Sequence, residues 1–294
     1  MSEEELHKIA GFIETYAVCL LGSGVHTSRV NRNSQRIAES QGVNMSMMTF
    51  QRTVVMTVVE AAGTPVATDQ STPTKATITQ NATAKAISPT QSTTRTTAEA
   101  NATASTDTRV INIPTSSVSF ALNSDLSALS WRAIDRHLSL DELWEEYNRI
   151  IAKPRINNWQ VLTLAGLANA SFCKLFGGDW ISMIIVFIAT VSGLFIKQEL
   201  QKKEVNHLIA TLISAFIAAS LAAFACYFDT TAEIAMATSI LFLIPGVPLI
   251  NGIIDVVEGY TLIGFSRLVQ AFLLIIFIAV GLSAALLLFK HSLL

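Results

Sequence analysis

The sequence predicts an α-helical integral membrane protein, a five-helix transmembrane bundle preceded by a cytosolic α+β domain with a disordered Thr-rich insertion. Three observations predict it. The chain has 294 residues, 51% of them hydrophobic, with a mean hydropathy of +0.46, too apolar for a soluble protein. Charge is divided unevenly, since residues 1–155 hold 14 of the 20 Lys and Arg and 15 of the 22 Asp and Glu. Five apolar segments then follow one another between Trp159 and Phe289. The expected domains are a cytosolic α+β domain over 1–155, with the insertion at 63–108, and a five-span transmembrane domain over 156–294.

Within the polar half, Leu6, Ile9, Ala10, Ile13, Ala17 and Leu20 recur at close to helical spacing until Gly22-Ser23-Gly24 stops the pattern. A second helix is expected from about Thr27 to Ser40, with Thr27 or Ser28 as N-cap and Gly42 as stop. Met47–Val59 is rich in β-branched residues, which suit a pleated half-buried surface, and Arg109–Pro114 is its expected return strand. Between them, residues 63–108 contain 15 threonines with many Ala and Ser and no hydrophobic period. Such a segment buries too little apolar surface to offset its ordering entropy, so disorder is expected. Its Asn81-Ala82-Thr83 and Asn101-Ala102-Thr103 match the glycosylation sequon, but a cytosolic position makes them silent. Ser124–His137 and Ser139–Ile151 read as two helices, the second with Leu140, Leu143, Trp144, Tyr147 and Ile151 on one face.

The apolar segments are about Trp159–Phe176, Trp180–Ile196, Leu208–Tyr227, Ile234–Ile254 and Gly264–Phe289. A span needs ~20 residues to cross ~30 Å of hydrocarbon, and the first two are short for that. Arg149, Lys153, Arg155, Lys197, Lys202, Lys203 and Arg267 fall on one side, against Lys174 and Lys290 on the other. Basic residues concentrate on the cytoplasmic side, which places the N-terminus in the cytoplasm and the C-terminus outside.

Several function classes lack support in the residues. A net charge of −2 without a basic block leaves no electrostatic footprint for nucleic acid. The cysteines, Cys19, Cys173 and Cys226, are too few and dispersed for a disulfide framework or a CxxC metal site. The five histidines show no HExxH spacing and no serine sits in a GxSxG elbow, so neither a metal, a cofactor nor an enzyme activity is expected. The acidic start, Met1-Ser2-Glu3-Glu4-Glu5, lacks the basic and apolar regions of a signal peptide. Gly22–Arg29 places a turn before a helix, a geometry suited to an anion or to ordinary capping, without the full pattern of a phosphate loop.

The most informative segment is the fourth span, where Pro245, Gly246 and Pro248 interrupt a helix. Proline removes a backbone donor and clashes with the preceding turn, so a kink or break is expected near mid-membrane. Freed backbone groups are tolerated there only against protein or a watery cavity, and transporters use such half-helix ends to bind ions and substrates. A structural kink packed on its neighbours is the other reading. Asn251 and Asp255, four apart, share a helix face, and an ionisable residue in a span is a functional candidate. A solvated carboxylate at the membrane edge is the alternative for Asp255, and Glu258 and Arg267 are expected nearer still to the interface. In the first span Asn169 and Ser171 either join helices together or face the same cavity as the broken span.

The runs GSGVHTSRVNRNSQRIA (22–38), FQRTVVMTV (50–58), LNSDLSALSW (122–131), ANASFCKLFGGDW (168–180) and AMATSILFLIPGVPLINGIIDVVEGY (235–260) resemble the threonine/serine exporter family, in particular its short five-span members. The resemblance covers the chain apart from about 63–108. It implies export of small hydroxy amino acids driven by an ion gradient, with related two-subunit members exporting succinate. It further implies a smaller five-span membrane subunit as partner, in a bacterial inner membrane. On this reading the membrane-embedded chain binds a small carboxylate at the Leu249–Asn251 end of the broken span, Asn251 and Asn169 orient it, and Asp255 accepts an ammonium group or a coupling proton. The competing reading is a membrane-anchored scaffold or sensor that needs no polar face on the fourth span.

Overall fold

The structure, a computed structural model, describes residues 1–50, 53–61, 106–113, 118–154, 156–228 and 230–293. Most of them are helical, with one small antiparallel sheet. The expected disorder of 63–108 and both sequons fall almost wholly outside these residues.

Helix α1, Glu3–Gly22, starts where the Ser2 hydroxyl accepts the Glu5 amide, and three glutamates in its first turn complement the helix dipole. It lays Leu6, Ile9, Phe12, Ile13, Tyr16 and Leu20 into the core of this half of the molecule. Helix α2, Thr27–Ser40, is capped by His26 and not by Thr27 or Ser28 as expected; the His26 side chain makes no capping bond.

The sheet runs β1 (Val43–Thr49), β2 (Thr53–Glu60) and β3 (Thr106–Asn112) in that order, both pairs antiparallel. The single strand expected over Met47–Val59 is therefore two, one ending at Thr49 and the next starting at Thr53, with the Phe50 amide donating to the Thr53 carbonyl. The expected pairing with the 109–114 return strand is present as β2–β3, with Met56 opposite Arg109. Val43, Met45, Val54, Met56 and Val58 alternate onto the buried face, the period of two that a half-covered sheet requires.

Helices α3 (Phe120–Arg136) and α4 (Leu140–Ile151) complete this half. Ser139 and Glu142 form a reciprocal capping box at the start of α4. Trp144 and Tyr147 from α4 then pack edge-on against Phe12, with ring centroids 5.0 and 6.0 Å away.

The second half consists of α5 (Asn158–Leu175), α6 (Trp180–Lys202), α7 (His207–Ala223), a 3₁₀ turn Phe224–Phe228, α8 (Ala232–Ser239), a 3₁₀ turn Leu241–Leu243, α9 (Gly246–Val257) and α10 (Thr261–Leu293). Trp180–Lys202, His207–Phe228 and Thr261–Phe289 are long and apolar enough to cross a membrane, and Ala232–Leu243 with Gly246–Val257 makes a fourth if the bent pair is one span. Helix α5 is not among them, because Asn158, Gln160, Asn169 and Lys174 dilute its apolar residues. Five spans are thus expected where three or four among the described residues meet that measure.

Short turns join successive helices, while α6 and α8 run parallel, with Ser182 on Thr231 and Thr190 near Ser239, as do α7 and α10, with Leu212 beside Gly281 and Phe224 beside Phe289. Alanine lines the buried face of α7 at 210, 215, 218, 219, 222 and 223. Helices α9 and α10 approach closely at Gly252 and Gly264, where a Cβ on Gly264 would lie 2.7 Å from the Gly252 carbonyl. Small residues that let backbones touch are the usual glue between membrane helices.

Candidate functional site

The fourth span breaks, and its two halves bend by 59°. Ile244, the residue before Pro245, is extended, as the proline ring demands of its predecessor. Pro245 then serves as the N-cap of α9. Pro248 sits in the first turn of α9, where its missing N–H would lack an intrahelical partner anyway. The break is therefore the work of Pro245, with Pro248 accommodated after it.

The new helix begins at Gly246, so the Leu249–Asn251 segment expected to form the binding end lies inside the helix. The Gly246 amide is already used by the Ile244 carbonyl at 2.8 Å and the Leu249 amide by Pro245 at 3.1 Å. With Pro248 contributing no donor, this helix end offers a carboxylate little beyond the Val247 amide.

Asn169 is buried, and its Nδ2 donates to Thr190 Oγ1 on α6 at 3.0 Å. Thr190 Oγ1 in turn lies 3.5 Å from the Ser239 carbonyl, the last residue of α8. Asn169 thus holds the first half of the broken span. Ser171 is exposed and donates to the Leu167 carbonyl of its own helix at 2.8 Å, so the expectation that it shares a cavity with Asn169 is not met. A cavity of about 380 Å³ opens between α5 and α8, lined by Phe176, Glu233, Ile234, Ala237, Thr238 and Leu241, and contains none of the expected site residues.

Asn251 and Asp255 do share a face of α9, as their spacing predicts, and that face meets the α1–α2 turn of the sheet-bearing half. Asn251 Nδ2 donates to the Gly24 carbonyl at 2.7 Å. Asp255 is completely buried; its Oδ1 accepts the Thr27 amide at 2.7 Å and its Oδ2 lies 2.6 Å from Arg267 Nη1. Arg267 Nη2 also donates to the Val25 carbonyl at 3.3 Å. Asp255 is therefore not a solvated edge carboxylate, and Arg267, 18% exposed, is not a free interfacial cation. A buried carboxylate needs such a set, one cation and one amide, to remain charged in apolar surroundings.

The end of α9 extends the contact. Glu258 accepts the Ser28 hydroxyl and lies 3.4 Å from His26 Nδ1 and 3.9 Å from Arg32. Asn31 donates to the Tyr260 hydroxyl at 3.3 Å. Two carboxylates, Asp255 and Glu258, thus face the N-terminus of α2, where the helix dipole favours negative charge. Burial pushes the His26 imidazole below its ordinary pKa, with Glu258 opposing that shift.

Sequence reasoning missed the partners in this cluster. Arg267 carried a signal, being the one charge in the apolar stretch from Thr261 to Phe289. Gly24, Val25 and Thr27 contribute backbone groups that no side-chain pattern reveals, while His26, Ser28, Asn31 and Arg32 meet Glu258 and Tyr260 through side chains.

A chain of packed apolar helices with one span broken at proline, and with buried polar groups at the break's second half, defines a membrane protein. Residues 12–289 match the family described as "Putative threonine/serine exporter", and the chain belongs to this threonine/serine exporter family. It is similar to the "Probable succinate transporter subunit YjjP" of Escherichia coli K12, 36% identical over 135 residues, covering 45% of this chain and 53% of that protein. The protein of the same name from Klebsiella aerogenes is 34% identical over 130 residues, covering 43% and 50%. The matched region thus spans about half the length of these curated relatives. No solved structure matches the chain.

Proposed function

We propose that this chain is a subunit of a secondary exporter of small carboxylate metabolites, with threonine and serine as substrates and an ion gradient as the driving force. The observation that carries the reading is the broken fourth span, whose second half presents Asn251 and a buried, paired Asp255. An anchor has no use for a half-helix that carries a buried, paired carboxylate, whereas transport sites are built at such breaks. Pro245 supplies the break, Gly246 and Pro248 open its second half, Asn169 holds its first half through Thr190, and Asn251 and Asp255 supply polar groups on its second. Ser171, facing outward, has no part in this reading.

On the same reading residues 1–155 form a cytosolic domain and 156–294 cross the membrane five times, the weakly apolar α5 included. The N-terminus lies in the cytoplasm and the C-terminus outside. Support comes from the chain path: α5 leaves the sheet-bearing half, α6 ends and α7 begins at Lys197–His207, and α9 ends against α2, so each of these ends falls on the basic side.

Two relatives named as succinate transporter subunits favour a second reading, a dicarboxylate exporter, and the word subunit in their name supports a partner, here a smaller five-span membrane chain. The test is efflux from cells preloaded with a Thr- or Ser-containing dipeptide or with succinate, expressing the chain alone and with that partner. Threonine or serine leaving only when both chains are present is the expected result. Succinate alone leaving replaces the substrate, and no efflux with both proteins confirmed in the membrane rejects export.

A further inference from the structure

Three side chains of α9 and α10 that could hold a small zwitterion are already engaged by one short stretch of this chain. Asn251 Nδ2 donates to the Gly24 carbonyl, Arg267 Nη2 donates to the Val25 carbonyl, and Asp255 Oδ1 accepts the Thr27 amide. Within four residues the turn thus presents two carbonyl oxygens to donors and one N–H to a carboxylate. An α-amino acid presents the same set, two carboxylate oxygens and an N–H donor. Each of these three contacts is made by the turn's backbone, while the turn's His26 side chain approaches Glu258 beside them.

We propose that the Gly24–Thr27 turn is an intrachain plug that occupies the substrate-recognition groups Asn251, Asp255 and Arg267, and that substrate binds by displacing it. The proposal rests on the exporter reading and adds Arg267 as the residue that receives the carboxylate. The plug is fixed to the sheet-bearing half, because Ser23 and Val25 are buried there and the Ser23 carbonyl accepts the Ser119 amide at 3.1 Å. Gly24, at φ +86°, packs so closely on Val118 that a Cβ would meet its methyl groups at 2.8 and 2.9 Å. Displacement therefore moves the whole domain, or the α1–α2 turn with it, away from the second half of the broken span. Asp255 and Arg267 together carry no net charge, so the vacated groups match a zwitterion, while a dianion would bring uncompensated charge beside Asp255 and Glu258.

Thr27→Pro tests the plug without altering the membrane half. Thr27 is the first residue of α2, a position that tolerates proline, and His26 before it is already extended at φ −71° and ψ 153°. The substitution removes the amide that Asp255 accepts, whereas Thr27→Ala keeps it. The readout is maleimide labelling of Ser28→Cys in inside-out vesicles, with the three native cysteines changed to alanine. In vesicles without added solute, Thr27→Pro is expected to label roughly tenfold faster than Thr27→Ala, the population shift that loss of one charge-assisted hydrogen bond gives. Added threonine or serine is expected to accelerate labelling of the Thr27→Ala protein several-fold, and succinate less. Equal labelling of the two variants, or labelling indifferent to every solute in a chain that does export, overturns the plug. If Thr27→Pro fails to reach the membrane, Asn251→Leu, which removes the bond to Gly24, takes its place with the same two outcomes. Absence of efflux from the parent protein rejects the exporter reading instead, and the unliganded comparison still decides whether the turn is held by its amide.

Discussion

The Asp255 carboxylate, wholly buried at the end of the broken span, caps the backbone amide of Thr27, 228 residues earlier in the chain, at 2.7 Å. Its other oxygen meets Arg267 at 2.6 Å. One side chain therefore ties the second half of the fourth span to the last helix and to the sheet-bearing half, and what happens to it should be felt in all three.

Removing one partner of a buried ion pair leaves the other charged and uncompensated, at a cost of about 3–5 kcal/mol, while removing both costs far less. Asp255→Asn and Arg267→Gln are each expected to lower the melting temperature of the detergent-purified protein. The double variant is expected to recover part of the loss. Additive losses in that double-mutant cycle would show that the two side chains do not act as a pair.

His26 gives the interface a pH dependence whose sign is fixed by burial. Its folded pKa lies below the unfolded value of ~6.5, so the unfolded chain binds the extra proton first. Stability is full above that pH and is lost as pH falls below it. The groups facing the ring are Glu258, Asp255, Arg29 and Arg32, the first two favouring the proton and the last two opposing it. Melting between pH 7.5 and pH 5.5, values chosen to bracket roughly the ordinary histidine pKa, is expected to fall for the parent and to fall less for His26→Asn.

The two prolines of the break are not equivalent. Pro245 sets the extended Ile244 and caps α9, whereas Pro248 lies in a first turn that needs no amide from it. Pro245→Ala is expected to reduce efflux several-fold, and Pro248→Ala to leave it close to the parent. Efflux measured at matched membrane levels checks the ranking, and equal effects would assign the break to something other than Pro245.

Gly264 has no room for a side chain, since a Cβ would lie 2.7 Å from the Gly252 carbonyl and 2.8 Å from the Val256 amide. Forcing one in moves backbone, and overpacking of this kind costs about 1–3 kcal/mol. Gly264→Ala is expected to lower thermal stability, whereas an alanine at Gly246, which has open space around it, is not. Parallel melts of the two variants test this.

Much of the fold is legible from local signals. The apolar spacing of Leu6 to Leu20 and the Gly22–Gly24 stop place α1, and the prolines place the break in the fourth span. The division into β1 and β2 was not legible, because Phe50 and its neighbours lack the Gly, Asn or Pro that punctuate strands, and both flanks favour β structure equally. The N-cap of α2 failed for a different reason: Thr27 and Ser28 are good capping residues, but Asp255 from another part of the chain supplies the acceptor. The candidate site divides in the same way. Spacing alone puts Asn251 and Asp255 on one face, while their partners in the sheet-bearing half are backbone groups more than two hundred residues distant, fixed by tertiary packing.

The most direct test of the account is efflux of threonine, serine and succinate from preloaded cells that carry the chain and its smaller membrane partner, comparing the parent with Asp255→Asn at equal amounts in the membrane. The account predicts efflux of threonine or serine from the parent and its loss, with succinate less affected, in the variant. Unchanged efflux in Asp255→Asn would contradict the place given to the broken span and its buried carboxylate.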